Sequence, residues 1–265
     1  MQKGNDCKDC SKRGGVTVKI PKSHPRAKSL EERHRLQLGI EKGIVTPTGM
    51  IAHGRGEAFD YLLGERTTPE AKKQIEAAAA KLLLARKPVI TVNGNTTALC
   101  ASGIAELAKE LGAQVEVNLF YRTEKRARLI QKEFRKFGIN ALGADPKKFK
   151  KAPGLGGSKR KLMDSDGTWE ADAVLVMLED GDRTETLERM GKFIIAIDLN
   201  PMSRTSRKAG ITIVDNVTRA VPLLEKAANR LKKSNKKGLS VIINNFKNKD
   251  LLHKSEMWIR RGMVK

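Results

Sequence analysis

Short β-branched runs alternate with amphipathic stretches through the middle of the chain. Brief apolar runs bounded by glycine, proline or asparagine are typical of buried strands, and apolar positions at helical spacing are typical of covering helices. The alternation predicts an α/β fold, a Rossmann-like three-layer parallel sheet of about five or six strands with helices on both faces. The predicted strands lie in PVITVNG, QVEVNLF, ADAVLVMLE, FIIAIDL and GITIVDN, with a weaker strand near Ala141.

Two helical patterns precede the first strand. The stretch SLEERHRLQLGIEK, residues 29–42, begins with a serine and has a glutamate three residues later, which predicts Ser29 as the helix cap. A second pattern over residues 69–86 follows a threonine and opens with Pro69, a residue suited to the first helical turn. Residues 19–86 are therefore a predicted N-terminal helical extension to a sheet core at 87–232.

The two ends of the chain differ in composition from the middle. Residues 1–18 are polar and charged and contain Cys7 and Cys10, which predicts a flexible basic tail with a Cys-x-x-Cys pair. Residues 233–265 are a basic C-terminal extension with a short helix expected near its end. The lysine- and glycine-rich passage 145–167 is expected to be irregular. Residues 19–232 are predicted to form a single domain.

Composition argues against several classes of protein. No run of about 18 apolar residues occurs and the N-terminus lacks the apolar core of a signal peptide, so we expect a cytoplasmic protein without membrane contact. Three cysteines without an export signal favour free thiols over disulfides. Cys7 and Cys10 make half a zinc site and no second pair follows, so no metal ligands are predicted.

The formal net charge of +22 is the most unusual bulk property of the chain. Such a charge attracts polyanions at low ionic strength without specifying which ones. It fits a nucleic-acid-binding protein, and it also fits an enzyme that holds several phosphate groups together. Aromatic residues make up only 4% of the chain, which leaves little material for stacking on bases. Nucleic-acid binding is therefore kept as the alternative function.

Polar residues follow three of the predicted strands, at the sheet edge where doubly wound folds bind ligands. The first group is Asn93, Gly94, Asn95, Thr96 and Thr97. It lies at a helix N-terminus, whose free N–H groups favour an anion, although an ordinary capped turn is the plain alternative. Segments 179–184 and 198–201 follow two neighbouring strands, and their polar groups suit a ribose, a phosphate or a metal.

A glycine-containing segment before the sheet collects ionisable side chains. The stretch TPTGMIAHGRGEAFDYLLGE holds His53, Arg55 and Glu57 around two glycines, which permit close backbone approach and suit a phosphate clamp. The upstream stretch IPKSHPRAKSLEER adds His24 and Arg33. No G-x-G-x-x-G follows the first strand and no G-x-x-x-x-G-K-[ST] occurs, so ordinary dinucleotide and P-loop sites lose support.

Six longer segments carry a family resemblance, although none is a generic motif. They are IPKSHPRAKSLEER, GMIAHGRGEAFDYLLGERT, KPVITVNGNTTAL, VNLFYRTEKR, VMLEDGDRT and GKFIIAIDLNPMSRTSRKAGITIVDN. In this order, over about residues 19–230, they resemble the archaeal phosphopantothenate synthetase family. The cysteine-containing N-terminus, the passage 145–161 and the strong basic charge depart from the family pattern.

The resemblance implies a Rossmann-like homodimer that uses ATP and Mg²⁺ to join 4-phosphopantoate to β-alanine on the route to coenzyme A. It implies that the carboxylate is activated as an acyl adenylate, with release of pyrophosphate and then AMP. Arg33 and Arg55 resemble the ATP-contacting arginines of the family. Two loops resemble its nucleotide contacts, the first with Asp180, Gly181, Asp182, Arg183 and Thr184 and the second with Asp198, Leu199 and Asn200.

The residue types suit this chemistry. Negative charge gathers on the α-phosphate during attack, and Arg33, Arg55 and Mg²⁺ are the groups expected to stabilise it. The amine of β-alanine must lose a proton, and the sequence leaves His24, His53 and Glu57 open as acceptors.

The predicted helix N-terminus at residues 93–97 is expected to bind the phosphate of 4-phosphopantoate. Unchanged 4-phosphopantoate affinity in an Asn95→Ala variant would contradict this hypothesis. A sheet of the same kind that acts on another acid and amine is a third reading of the sequence.

Overall fold

The computed structural model describes residue 21 and residues 23–154 and 161–261, so the Cys7–Cys10 pair and the tail at 1–18 lie outside the described residues. Three helices come first: α1 (Ala27–Glu41), α2 (Pro47–Leu62) and α3 (Pro69–Leu84). The predicted start of α3 is confirmed, since the Thr68 side chain caps it. The predicted cap of α1 is wrong, because Ser29 lies inside the helix and its hydroxyl donates to Glu57 instead.

The glycine-containing segment forms helix α2. Thr46 caps this helix and Pro47 occupies its first turn, which leaves Gly54 and Gly56 in the interior. Asp60 is the one buried residue among the helical positions, so α2 lies on the surface of the protein. No atom of the described chain lies within 4 Å of a Cβ placed on Gly54, so close backbone approach inside the chain does not explain this glycine.

A five-stranded parallel sheet forms the centre of the fold and confirms the predicted α/β architecture. The strands along the chain are β1 (Pro88–Val92), β2 (Gln114–Val117), β3 (Phe149–Lys151), β4 (Leu162–Asp164), β5 (Ala173–Met177), β6 (Phe193–Ile197) and β7 (Ile211–Ile213). The sheet order is β2-β1-β5-β6-β7, with Ile90 opposite both Val115 and Leu175. The weak strand expected near Ala141 is reduced to an isolated bridge between Leu142 and Glu116.

Helices and a small hairpin cover the two faces of the sheet. The remaining helices are α4 (Gly94–Leu111), α5 (Glu124–Arg135), α6 (Gly181–Arg189), α7 (Arg204–Lys208), α8 (Val217–Leu231), α9 (Lys236–Asn244) and α10 (Asn248–Arg261). Alternate strand residues such as Ile90 and Leu175 face one core, which α3, α4 and α8 complete. Their neighbours Val89 and Val174 face a second core, which α6 and the β3–β4 pair complete.

The lysine-rich passage contains a short antiparallel pair, β3 with β4. The expectation of an irregular segment is therefore wrong for these residues. Met163 and Ala152 are buried against the sheet, whereas Lys150 and Lys151 are exposed. The apolar signal of each three-residue strand is too short to stand out in the sequence.

The C-terminal extension folds into two helices instead of one. Helix α9 packs on α3, and α10 contacts α2, α3 and α7. Leu239, Leu251 and Leu252 are buried, and Trp258 Nε1 donates to Glu70 Oε2 at 2.9 Å. Within the described ranges, no helix is long and apolar enough to cross a membrane. The cytoplasmic location stays a prediction.

Candidate active site

A cavity of about 410 Å³ opens at the carboxyl edge of the sheet. It lies between β1 and β5, whose following helices α4 and α6 cover opposite faces of the sheet. This is the point at which the strand order reverses, and it is where doubly wound sheets bind ligands. The fold therefore puts the cavity where the strand-end residues predicted it.

Six parts of the chain line the cavity: α2 with its cap, the β1–α4 turn, the segment from β2 into α5, the ends of β5 and β6, and the start of α8. The lining residues are Thr46, Thr48, Gly49, Ala52, His53, Arg55, Gly56, Glu57, Asn93, Gly94, Asn95, Leu99, Asn118, Leu119, Phe120, Tyr121, Arg126, Leu178, Glu179, Asp180, Leu199, Asn216 and Val217.

The β1–α4 turn is a capped helix start. The Asn93 side chain accepts from Thr96 N, and Thr96 Oγ1 accepts from Asn93 N at 2.9 Å. Asn93 Nδ2 also donates to Met177 O at 3.0 Å, which joins the turn to β5. Asn95 Nδ2 donates to Gly49 O at 2.8 Å, which joins it to α2. The turn is therefore rigid, and it presents the first N–H groups of α4 to the cavity.

Arg126 lies beside this helix start. Its Nε donates to Ile44 O at 2.7 Å and its Nη1 to Tyr121 O at 3.2 Å. A Cβ placed on Gly94 would collide with Ile44 O and lie 2.7 Å from Arg126 Nη2, so the backbone of Ile44 requires glycine here. Burial lowers the pKa of Arg126, and both bonded partners are neutral carbonyls. A partly buried cation without a carboxylate partner in the described chain stabilises an anion in the cavity.

Glu57 is the centre of a polar cluster between α1 and α2. Its carboxylate accepts from Arg33 Nε at 3.1 Å, from Arg33 Nη2 at 2.6 Å and from the Ser29 hydroxyl. Burial acts to raise the pKa of Glu57, but these hydrogen bonds outweigh it and the pKa is lowered. Glu57 is therefore ionised at neutral pH. Arg33 does not line the cavity itself but is held by Glu57, which does.

His53 lies next to this cluster and is almost fully buried, with 8% of its side chain exposed. Its Nε2 lies 3.9 Å from Glu32 Oε2 and has no hydrogen-bond partner among the described residues. Burial lowers the pKa of His53 against the opposing effect of Glu32. His24 is exposed and away from the cavity, and its Nδ1 accepts from Arg26 N at 3.0 Å.

The chain turns sharply where β5 ends. Leu178 has a φ of 52°, an unusual value for a leucine, and the following Glu179 and Asp180 line the cavity. Asp180 caps α6 by accepting from Arg183 N at 3.1 Å. The Arg183 side chain is fully buried, with Nε 3.4 Å from Glu179 Oε2.

The other residues of this loop lie behind the cavity wall. Asp182 pairs with Arg204 at 2.7 Å, and Gly181 packs so closely on Arg204 that a Cβ would lie 2.5 Å from it. The Thr184 hydroxyl donates to Asp180 O at 3.0 Å. These groups hold the loop in shape, and their predicted nucleotide contacts stay predictions.

The loop after β6 contributes one side chain to the cavity, that of Leu199. Asp198 turns inward, where it accepts from Asn200 N at 2.9 Å and from Ser203 Oγ at 2.5 Å. Burial raises the pKa of Asp198. Asn200 Oδ1 in turn accepts from Met202 N at 2.9 Å. Asp198 and Asn200 therefore shape the turn, and their side chains do not line the cavity.

The segment after β2 supplies cavity residues that the sequence analysis did not assign. Asn118 is buried beside Arg183. With its amide oxygen facing the guanidinium, Asn118 Oδ1 accepts from Arg183 Nη1 at 2.7 Å. Phe120 and Tyr121 are 58% and 55% exposed beside the cavity. The strand-end rule applied to β2 would have found Asn118. Arg126 lies in the helix beyond, where that rule does not reach.

The cavity thus brings together part of the predicted set. His53, Arg55, Glu57, Asn93, Gly94, Asn95, Asp180 and Leu199 line it. The predicted residues outside the lining are Arg33, Thr96, Thr97, Gly181, Asp182, Arg183, Thr184, Asp198 and Asn200. Thr96 and Thr97 are buried, and their hydroxyls bond to Asn93. The functional roles of both groups stay predictions.

A doubly wound sheet with a cavity at its switch point, lined by apolar residues, two arginines and three carboxylates, defines an α/β protein of the class that binds small molecules at this edge of the sheet. The model of the phosphopantothenate/pantothenate synthetase family matches residues 70–262, and the chain belongs to this family.

Relatives support the assignment over nearly the whole chain. The chain is 51% identical over 250 residues to the 4-phosphopantoate–β-alanine ligase of Thermococcus onnurineus, covering 94% of this chain and 95% of the relative. The ligase of Thermococcus kodakarensis gives the same identity and coverage. The ligase of Methanosarcina mazei is 47% identical over 234 residues, covering 88% and 91%. The resemblance read from the six segments is confirmed.

Proposed function

We propose that the protein condenses 4-phosphopantoate with β-alanine to 4-phosphopantothenate, through an acyl adenylate formed from ATP, on the route to coenzyme A. The relatives carry this acid and this amine in their names. One observation carries the proposal for this chain. Arg55 and Asp180, which resemble family nucleotide contacts, line the same cavity as the α4 N-terminus and Arg126.

The nucleotide is assigned to the ends of β5 and β6. Asp180 and Leu199 line this part of the cavity, and Arg55 reaches it from α2. Arg33, fixed by Glu57, adds a second cation at the same helix pair. These two cations suit the triphosphate of ATP, whose charge grows at the α-phosphate as the bond to it forms.

Magnesium fits the same region as an ion shared with the triphosphate. Glu179 and Asp180 are the carboxylates that would hold it there. Mg²⁺ usually takes one or two protein carboxylates with substrate phosphates and water, and it would neutralise charge on the phosphates. In the described part of the chain no group of three or more His, Cys, Asp or Glu side chains is placed to hold a metal alone.

The phosphate of 4-phosphopantoate is assigned to the β1–α4 turn. Gly94 and Asn95 lie at the N-terminus of α4, and Arg126 is the cation beside them. Helix N–H groups and an arginine together are a common way to bind a phosphate monoester. This placement puts the phosphate end of the acid at β1 and leaves its carboxylate to point towards the nucleotide at β5.

The chemistry follows from that orientation. A carboxylate oxygen attacks the α-phosphorus, the P–O bond to pyrophosphate breaks, and pyrophosphate leaves. The amine then attacks the acyl carbon, and AMP leaves with the electron pair of the broken C–O bond. Adenylation splits one difficult substitution into two easier steps. The second step is easier because AMP is a far better leaving group from the acyl carbon than the oxygen of a free carboxylate. Arg33 and Arg55 stabilise charge in the first step.

AMP release with single omissions tests the proposed function. The purified protein should form AMP when ATP, Mg²⁺, 4-phosphopantoate and β-alanine are all present, and omission of any one should abolish it. A second measurement, exchange of labelled pyrophosphate into ATP with 4-phosphopantoate but without β-alanine, reports adenylate formation. A folded protein that binds ATP and forms no AMP would refute this substrate pair.

Arg126 provides the sharper test of the phosphate assignment. An Arg126→Gln variant should raise the KM for 4-phosphopantoate by about 10- to 100-fold, the value of one charged hydrogen bond, with little change in the KM for ATP. Arg128→Gln is the matched control, since Arg128 is on the same helix and 68% exposed. An equal rise in the KM for both substrates would contradict the assignment.

A homodimer is also part of the proposal, and α2 is its proposed contact. Ile51, Ala58, Tyr61 and Leu62 are exposed on one stripe of this helix, which the exposed Arg55 interrupts, with 68% exposure for Ile51 and 62% for Tyr61. Gly54 leaves open space in the middle of the stripe, which allows another helix to approach closely. An apolar stripe of this kind fits its own copy across a two-fold axis.

Sedimentation analysis of an Ala58→Glu variant tests the dimer contact. We expect the wild-type protein to sediment as a dimer and the variant as a monomer, because the new carboxylate would be buried in the contact. A dimeric variant would exclude α2 from the interface, and a monomeric wild-type protein would exclude the dimer.

A further inference from the structure

The structure distinguishes the three side chains that sequence alone leaves open as the base for the amine. His24 is exposed and does not line the cavity. Glu57 lines it, but its oxygens already accept from Arg33 and Ser29, and its pKa is lowered. A carboxylate held in this way has little tendency to take up a proton. His53 is the one of the three that lines the cavity without a hydrogen-bond partner in the described chain.

The two nitrogens of His53 have different surroundings. Nε2 is fully buried and is the nitrogen 3.9 Å from Glu32 Oε2. A carboxylate on that side favours the tautomer with hydrogen on Nε2, which leaves the lone pair on Nδ1. Such contacts are often long in the absence of substrate and shorten in the reacting complex. Nδ1 is therefore the nitrogen available to a substrate in the cavity.

Glu32 is fixed on its other side by the start of α8. Thr218 Oγ1 donates to Glu32 Oε1 at 2.6 Å, and Asn216 Nδ2 donates to Glu32 Oε2 at 3.1 Å. The Glu32 side chain is 12% exposed. Two hydrogen bonds from a second helix leave this carboxylate little freedom, so it can orient the imidazole of a neighbouring helix.

We propose that His53 is the catalytic base of amide formation and that Glu32 is the residue that positions it. This inference rests on the proposed function. The neutral amine of β-alanine attacks the acyl carbon of the adenylate, and the C–N bond forms. Nδ1 takes one proton from the nitrogen, the C–O bond breaks, and AMP leaves with the bonding electrons. The imidazolium then returns its proton to solvent.

The charges around the ring suit a base that works near neutral pH. Glu32 and Arg33 face it from α1, and Glu57 and Asp60 act on it from α2. Burial is the largest effect and lowers the pKa of His53, so the ring is neutral at pH 7. The three carboxylates raise the pKa in opposition, which keeps the imidazole basic enough to accept a proton from the charged nitrogen of the tetrahedral intermediate.

Separate assays of the two half-reactions test the role of His53. In a His53→Asn variant we expect pyrophosphate exchange within about threefold of wild type, because adenylate formation does not use the base. Amide formation in a single turnover from the preformed adenylate should fall by about 100-fold or more, the usual contribution of general-base catalysis. His34→Asn is the matched control, since His34 is exposed on α1, and it should change neither rate.

The pH profile tests Glu32. Amide formation by the wild-type protein should decline on the acid side as His53 becomes protonated, and His53→Asn should lose that limb. Glu32→Gln keeps the shape and removes the charge that raises the pKa of His53. We therefore expect its acid limb to move to lower pH, a change that a purely structural role would not produce.

Each outcome has a definite meaning. Unchanged amide formation in His53→Asn, or equal loss of exchange and amide formation with an unchanged melting temperature, would overturn the role of His53. An unmoved acid limb in Glu32→Gln would overturn the role of Glu32. Absence of pyrophosphate exchange in the wild-type protein would refute the adenylate route, and the role of His53 with it. Exchange in the wild-type protein together with unchanged amide formation in His53→Asn would refute the role of His53 alone.

Discussion

Asp60 anchors α2 to the start of α8 through a largely buried ion pair, so its removal should free the helix that carries much of the cavity wall. Arg219 Nη1 donates to Asp60 Oδ2 at 3.0 Å, and Asn216 Nδ2 donates to the same oxygen at 3.0 Å. Arg219 also pairs with Asp215 at 2.6 Å. In Asp60→Ala the guanidinium keeps one of its two carboxylates, and the Asn216 amide loses one of its acceptors.

The expected cost follows from this geometry. Removal of one partner from a buried ion pair costs about 3–5 kcal/mol, and the remaining Asp215 holds the cost near the lower end, about 3 kcal/mol. Each kcal/mol lowers the melting temperature of a chain of this size by about 2–4 °C, so the loss should be about 6–12 °C. Ligase activity should fall as well, because His53, Arg55 and Glu57 lie on the same helix.

Thermal unfolding followed by circular dichroism measures the effect. Glu76→Ala is the matched control, since it breaks an exposed pair with Arg230, at 2.9 Å and with side chains 41% and 65% exposed. Surface pairs contribute about 1 kcal/mol or less, so the control should melt within about 4 °C of wild type. If Asp60→Ala melted no lower than Glu76→Ala, α2 would be held by other contacts and the reasoning would be refuted.

Three further predictions concern the cavity, acid stability and charge. Gly94→Ala should weaken binding of 4-phosphopantoate more than of ATP in calorimetric titration, because the new Cβ would collide with Ile44 O and Arg126 and displace the start of α4; equal losses would contradict this. Burial acts to raise the pKa of Asp172, but the N–H groups of Arg86 and Lys87 outweigh it and the pKa is lowered, so its stabilisation is present above about pH 4 and lost as pH falls further. The difference in melting temperature between wild type and Asp172→Asn should shrink accordingly below that pH. Single-stranded DNA should bind by anisotropy only at low salt and be released near 150 mM, whereas nanomolar affinity there would favour the nucleic-acid alternative.

The sheet could be predicted because its strands are buried on both faces. Parallel strands covered on both sides appear in a sequence as continuous apolar runs such as 173–177 and 193–197. The β3–β4 pair lacks that property, since each strand has only three residues, two of the three in β3 are exposed lysines, and β4 ends in a buried aspartate. Its position depends on packing against the sheet, in a core that includes Val89 and Val174, which local patterns do not encode.

The N-terminal helices show where local signals compete with tertiary contacts. Thr46 and Pro47 are ordinary start signals for α2, but the glycines that follow obscured the helix. Ser29 also matched a start signal, but in the structure its hydroxyl donates a hydrogen bond to Glu57 on another helix. Helix α1 already begins at Ala27, so the Ser29 hydroxyl lies past the position from which a cap accepts a backbone N–H.

The site was predictable to the level of loops and less so to the level of side chains. The strand-end rule selected the turns after β1, β5 and β6, and all three contribute to the cavity. It could not tell which side chains turn inward, so Asp198 and Arg183 were grouped with Asp180, although neither lines the cavity. Glu32 and Arg126 reach their positions through packing between helices, which no spacing in the sequence reveals.

Asn216 links the stability of α2 to the chemistry assigned to it. Its single amide group donates to Asp60, which anchors the helix, and to Glu32, which faces the His53 ring. The anchoring of α2 and the positioning of His53 therefore both depend on one cap residue at the start of α8. The effects of substitutions at Asp60 and Glu32 on the free energy of unfolding should therefore not be additive. The charge of Asp60 itself raises the pKa of His53, so a shifted acid limb in Asp60→Ala does not by itself report coupling through Asn216. The free energies of unfolding of Asp60→Ala, Glu32→Gln and the double variant do report it: a sum of the single effects that differs from the double effect indicates a coupled network, and equality indicates two independent contacts.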